Sequence, residues 1–159
     1  MYQDNLERMI KLADEFFETK NDPTQISVTE QTMALLKKIH PSTMSEISTE
    51  KGPIAWILLI PTTHELMQKF ITKAINEQDL LRDTPLGGTY DAIYLCSALV
   101  LPEHRGKGLA KRLASDAIKS IAAEHPIRQL FYWGFSIEGE KLASAIAGEF
   151  HLPLHKRPD

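Results

Sequence analysis

Ala92-Ile93-Tyr94-Leu95-Cys96-Ser97-Ala98-Leu99-Val100-Leu101 runs directly into Pro102-Glu103-His104-Arg105-Gly106-Lys107-Gly108-Leu109-Ala110. The first half is apolar and rich in strand formers, which predicts a buried strand. After it, residues 106–123 put Leu109, Ala110, Leu113, Ala114, Ala117, Ile118 and Ile121 on one helical face, with Lys107, Lys111, Arg112, Asp116 and Lys119 mostly off it. Pro126 closes that helix, and residues 127–134 read as a second strand. Strand, long helix, strand predicts a parallel βαβ unit over residues 92–134, with a right-handed crossover.

The joint between the first strand and the helix has its own physics. Two glycines with one residue between them let the backbone turn tightly and approach a ligand closely. The helix they open has unpaired first-turn amides and the positive end of its dipole there, a ready anion site. Arg105, Lys107, Lys111 and Arg112 add positive charge around it. The joint also lies beyond the carboxyl end of a parallel strand, where open α/β sheets bind ligands. Two familiar phosphate loops do not fit: no Gly-x-x-x-x-Gly-Lys-Ser/Thr occurs, and Lys111 replaces the third glycine of Gly-x-Gly-x-x-Gly. Taken alone, Gly-x-Gly is also compatible with a solvated turn.

Outward from this unit the signals are coarser. Upstream, Leu6, Met9, Ile10, Ala13, Phe16 and Phe17 recur at helical spacing behind Asp4 or Asn5 as cap, and Asn21-Asp22-Pro23 breaks that pattern. Ser27-Val28-Thr29-Glu30 has the form of a capping box ahead of a helix that Pro41 stops. Met44–Thr49 alternates weakly as a strand, 50–52 supplies a turn, and 54–60 is an apolar strand. A single helix is predicted over about 63–80, behind a second box-like run, Thr62-Thr63-His64-Glu65; Pro85-Leu86-Gly87-Gly88 ends it. A last short helix uses Leu142, Ala143, Ile146, Ala147 and Phe150, and the final nine residues have room for one short strand at most. The reading is one α/β (α+β) domain over residues 1–159, with a mixed central sheet flanked by helices.

Composition narrows the classes of function. The 159 residues carry 18 Lys+Arg against 21 Asp+Glu, a net charge of −3, which argues against bulk nucleic-acid binding. No uncharged run reaches the ~20 residues of a membrane helix, and no basic apolar leader opens the sequence. The single cysteine, Cys96, fits a reducing compartment, so a cytoplasmic location with neither nucleic acid nor membrane as partner is expected.

Val100-Leu101-Pro102 followed by Arg105-Gly106-Lys107-Gly108-Leu109-Ala110 resembles the GNAT superfamily of acyl-CoA-dependent N-acyltransferases, whose motif is Arg/Gln-x-x-Gly-x-Gly/Ala. The resemblance covers about 92–134 well and extends in element order to Phe150. It implies acetyl transfer from acetyl-CoA to a primary amine (a small molecule or a peptide) by direct attack in a ternary complex. It also implies that the amides of Arg105, Gly106, Lys107, Gly108, Leu109 and Ala110 cradle the coenzyme A pyrophosphate. The main chain around Leu99, Val100 and Leu101 would pair with the pantetheine arm, where the two parallel strands splay, with Phe131-Tyr132-Trp133 bordering the slot. A non-catalytic acyl-CoA-binding or regulatory module on the same fold is the alternative.

For the chemistry, the resemblance implies a backbone oxyanion donor, for which Val100 is the chosen position. Relatives place a tyrosine four residues before a Gly-Phe; the nearest equivalent here puts Ser144 there, so Tyr132 and Ser136 are further proton-carrier candidates. Asp91, at the start of the first parallel strand, is a candidate base or a solvated strand end. Two departures from the family are the helix at 63–80, where a short hairpin is commoner, and a shortened C-terminus, which leaves the acceptor wall open or completed by a partner and makes a homodimer reasonable. Cys96 reads as a buried small hydrophobe rather than an acyl-accepting nucleophile. The histidines show no ligand spacing, so no metal is proposed; His104 adjoins the phosphate loop. Glu46, Glu50, Glu77 and Asp83 could attract a cationic amine or be plain surface carboxylates.

Overall fold

The alternation of apolar runs and amphipathic runs becomes, in the computed structural model, a sheet whose strand order follows the chain; residues 2–20, 30–134 and 136–158 are described. The elements are α1 (Tyr2–Lys20), α2 (Glu30–Ile39), β1 (Met44–Thr49), β2 (Gly52–Thr62), α3 (His64–Ile71), α4 (Glu77–Asp83), β3 (Ala92–Val100), α5 (Leu109–Glu124), β4 (Gln129–Trp133), α6 (Ile137–Phe150) and β5 (Leu154–Arg157). β1, β2 and β3 pair antiparallel, whereas β3, β4 and β5 pair parallel. The expected βαβ unit is therefore present, and α6 makes a second one with β5. Two same-handed crossovers lay α5 and α6 on one face of the sheet.

The two faces carry separate cores. On one, Met9 of α1, Ile118 and Ile121 of α5 and Ile146 of α6 close over Ile57, Ile93 and Leu130. On the other, Leu36 of α2, Met67 and Phe70 of α3 and Leu80 of α4 close over Ile60, Tyr94 and Phe131. Strand alternation produces this split: Ile93 and Leu130 point one way, while Tyr94 and Phe131, one residue on, point the other. Each such large apolar side chain contributes roughly 1.5–3 kcal/mol on burial.

Three local expectations are corrected. The helix over 63–80 is two helices. Lys73 takes a left-handed φ of 67°, the Ala74 N–H reaches back to the Lys69 carbonyl (2.8 Å) and the Lys73 N–H to that of Phe70 (3.1 Å). That is a Schellman stop, and Asn76 with Asp79 then forms a reciprocal capping box that starts α4. The cap of α3 is Thr63, whose side chain accepts the Leu66 N–H, one residue later than the predicted box. α1 begins at Tyr2, so Asn5 lies inside the helix and is buried rather than capping it. The Asn21-Asp22-Pro23 break and the Ser27–Glu30 box fall mainly on residues outside the described set, as do the side chains of Phe16 and Phe17. Among the described residues no helix is long and apolar enough to cross a membrane.

Candidate functional site

A short 3-10 turn, Pro102–His104, carries the chain from β3 into the glycine loop. Gly106 and Gly108 both sit at left-handed φ, 79° and 73°, and a Cβ built on either would meet nothing within 4 Å. Glycine is needed there for the backbone conformation, and the space beside it is open. Gly108 is the N-cap of α5 and no side chain caps this end, so the first-turn amides face outward without an intrahelical carbonyl. Arg105, Lys107, Lys111 and Arg112 are all exposed around that end. The turn is pinned from outside. Arg8 of α1 grips Glu103 through two hydrogen bonds of 2.6 and 2.7 Å, which pull the Glu103 carboxyl down to about 2.

β3 and β4 pair from Ala92 opposite Gln129 to Leu95 opposite Tyr132; among the described residues β3 then runs on along β2 alone. The parallel pair thus opens before it reaches the loop. A bulge marks the opening: Leu58 faces Ser97 and Leu59 faces Leu95, leaving Cys96 as the extra residue.

Main-chain direction near the loop follows from one bond. The Leu101 N–H donates to the Ile54 carbonyl of β2 (2.9 Å), and the Leu101 carbonyl accepts the His104 N–H (2.9 Å). Alternation turns Leu99 toward β2 as well, and turns Ala98 and Val100 toward the open edge. Consistently, the Val100 carbonyl accepts Arg105 Nε–H (3.0 Å) on that side. Of the three residues expected to pair with a pantetheine arm, then, Leu99 and Leu101 are committed to β2 or the turn, and Val100 faces the gap. Ala98, which the sequence reading passed over, joins it; the signal was the alternation itself.

The remaining candidates are scattered. Asp91 sits at the other end of β3, about 30 Å from the loop by strand length, where its Oδ1 accepts the His64 N–H (2.7 Å) at the start of α3. Ser136 is the N-cap of α6 and accepts the Gly139 N–H (3.0 Å). Ser144 is exposed on α6, and Tyr132 is half-buried in the last residue pair joining β4 to β3. Leu109 and Ala110 are half-buried in the first turn of α5.

A buried polar group absent from the leading candidates lies behind the bulge. Glu77, the first residue of α4, is 1% exposed. Its Oε2 accepts the Tyr94 O–H in a very short bond and lies 3.8 Å from Cys96 Sγ. Burial, then the Glu77 charge, pushes the Tyr94 phenol well above its ordinary value of 10. Arg157 of β5 lies between Phe70 and Trp133, its Cζ 4.5 Å from each ring centre. Sequence alone offered Glu77 merely as one of several carboxylates; its place at the N-terminus of a helix in an otherwise apolar covering layer was the available signal.

His40, Glu124 and His125 also gather, with potential ligand atoms within 4.8 Å of one another. His40 Nδ1 accepts the Ser42 N–H and His125 Nδ1 the Tyr90 N–H. Each neutral ring then carries its proton on Nε2, which makes that nitrogen a donor and suits a carboxylate better than a cation.

A mixed sheet whose parallel strands part beside a glycine-turned, uncapped helix start defines the α/β class of this fold. Residues 7–140 match the model of the acetyltransferase (GNAT) family, and the chain belongs to that family. Solved structures with a partial likeness include the ribosomal-protein-alanine N-acetyltransferase from Brucella melitensis biovar Abortus 2308, at 18% identity and a TM-score of 0.42 over 64% of this chain and 57% of that one. Chaetomium thermophilum Naa20 in complex with a bisubstrate analogue gives 16% identity and a TM-score of 0.41 over 65% and 48%. This chain thus spans about half the length of those proteins. Comparison with curated proteins gives no significant match.

Proposed function

We propose that this chain transfers an acetyl group from acetyl-CoA to a primary amine by direct attack in a ternary complex. The observation that carries the reading is the uncapped start of α5 beyond two left-handed glycines with open space at both Cβ positions. These residues fit a diphosphate: the amides from Arg105 to Ala110 would hold it, with Lys107, Lys111 and Arg112 adding charge. Arg105 folds back on the Val100 carbonyl and so fixes the strand end beside the loop.

Acetyl-CoA supplies an activated acyl group; the chain supplies position and a donor. The Val100 and Ala98 N–H groups are both aimed into the gap as oxyanion donors, Ala98 lying nearer the bulge of β3, and one such donor is worth about 10²–10³ in rate. Holding amine and thioester together supplies roughly 7–11 kcal/mol. The acceptor is a small-molecule or peptide amine, and a single cysteine, Cys96, fits a reducing compartment such as the cytoplasm.

Calorimetry with acetyl-CoA tests the reading. Wild type should bind, and Gly108→Val, whose side chain fills the space a phosphate needs, should lose binding while keeping a native circular dichroism spectrum. Unchanged affinity in the variant removes the loop assignment. Free-thiol release from acetyl-CoA across a panel of a polyamine, a lysine peptide and a peptide with a free N-terminus then follows; binding with no turnover marks a non-catalytic acyl-CoA module.

A further inference from the structure

The loop and the strand amides leave the acceptor's proton without a destination. Glu77 offers one. Its carboxylate is buried on the face of the sheet covered by α3 and α4, against Tyr94 and Cys96. Cys96 is the bulge residue, one position past the last residue of β3 that pairs with β4. α5, which the glycine loop opens, packs on the opposite face. The loop and the carboxylate therefore flank the gap between β3 and β4 from its two sides. An acyl chain anchored at the loop and threaded through the gap arrives beside Cys96.

We propose that Glu77 is the base for the acceptor amine and receives the proton through the Cys96 thiol. This rests on the acetyl transfer proposed above. As the neutral amine nitrogen bonds to the carbonyl carbon of a thioester held at the Ala98 N–H, two residues from Cys96, its N–H proton passes to Cys96 Sγ while the thiol proton passes to Glu77 Oε2. Collapse then breaks the C–S bond, and the departing coenzyme A thiolate takes the proton back by the reverse route. The products are an amide and a thiol, and Glu77 and Cys96 end as they began.

Titratable groups facing Glu77 include Tyr94 and Cys96 of β3; from β5, Arg157 adds a positive charge that acts on the same Tyr94 hydroxyl. The Tyr94 phenol keeps its proton and serves to hold the carboxylate in place. The cluster also explains why the extra helix α4 belongs to this chain's site: it delivers the base.

The experiment measures turnover of the fastest amine in the panel for wild type, Glu77→Gln, Cys96→Ala and Cys96→Ser, with acetyl-CoA binding and melting temperature for each. Glu77→Gln should lower kcat about 100-fold or more, with acetyl-CoA affinity within twofold. Cys96→Ala should lose as much, whereas Cys96→Ser, whose hydroxyl can pass a proton, should stay within about tenfold of wild type. A Glu77→Gln enzyme with the wild-type rate overturns the proposal; so do Cys96→Ala and Cys96→Ser of equal activity, a comparison that stands even where Glu77→Gln fails to fold. A wild type that binds acetyl-CoA yet acetylates no amine overturns the transfer reading, and this inference with it.

Discussion

The two faces of the sheet are built from different materials. The face under α1, α5 and α6 is aliphatic, filled by Ile57, Ile93, Ile118 and Ile121. The face under α2, α3 and α4 is aromatic and carries polar groups in its depth: Phe70, Tyr94 and Phe131 pack with ring centres 4.9–5.8 Å apart near Glu77 and Arg157. Thr62 and Thr84 share a buried hydrogen bond of 2.8 Å on that side too. An aliphatic layer needs little but shape, so it supports the glycine loop as a rigid platform. Buried polar groups cost desolvation unless each is paired; the α1 and α5 side buries only the neutral Asn5 and Ser115 among the described residues, whereas the opposite side buries the charge-bearing Glu77 and Arg157.

This contrast can be broken in three places. The largest effect is expected in the aliphatic core: Ile118→Ala should cost about 2–5 kcal/mol in urea unfolding through the lost transfer energy and the cavity left behind. If the loss were far smaller, the platform would not be tightly packed. Next comes Tyr94→Phe, which removes the O–H that the Glu77 carboxylate accepts and should cost about 1.5–3 kcal/mol. Tyr94 also has a pH signature. Its folded value is raised, so the folded state keeps a proton that the unfolded chain releases near 10, and stability should fall as pH rises past 10. Tyr94→Phe should lose that slope; a variant that kept it would place the alkaline sensitivity elsewhere.

The smallest effect concerns the polar clip at the rim of the aliphatic face. Glu103 is held down to about 2 from an ordinary 4.5, chiefly by its hydrogen bonds to Arg8. A depressed carboxyl stabilises the fold above its unfolded value and loses that contribution as pH falls from about 4.5 through about 2. The pair is solvent-exposed, so the difference in melting temperature between wild type and Arg8→Ala should be small at pH 7. It should shrink as pH falls from about 4.5 and vanish below about 2. A difference that persists there would mean Arg8 acts through packing rather than through its charge.

Much of this was legible before any coordinates. The βαβ unit announced itself because the helical period of residues 109–121 and the glycine joint agree with each other and with the strand before them. Met44–Thr49 is the strand that weak alternation indicated. The break inside 63–80 was missed because a helix stop is usually read from glycine or asparagine, whereas Lys73 takes the left-handed position and His151 does the same after α6. Asn76 and Asp79 were a readable start signal that the continuing apolar pattern overshadowed. At the site, the amide loop was visible because its chemistry lives in the backbone and glycine betrays it. The Glu77 cluster was not, because its members stand 17 and 19 residues apart and meet only through the packing of α4 on β3.

Strand order that follows chain order has a consequence for how the molecule is made. No strand must slip between two that are already joined, so the β1–β2 hairpin can form first and each later strand add to the growing edge. Local growth of this kind shortens the loops that must close at every step and favours fast folding. A chain emerging from the ribosome could complete the platform and the glycine loop while β5 was still being synthesised, leaving the placement of Arg157 beside Phe70 and Trp133 as the last act of assembly.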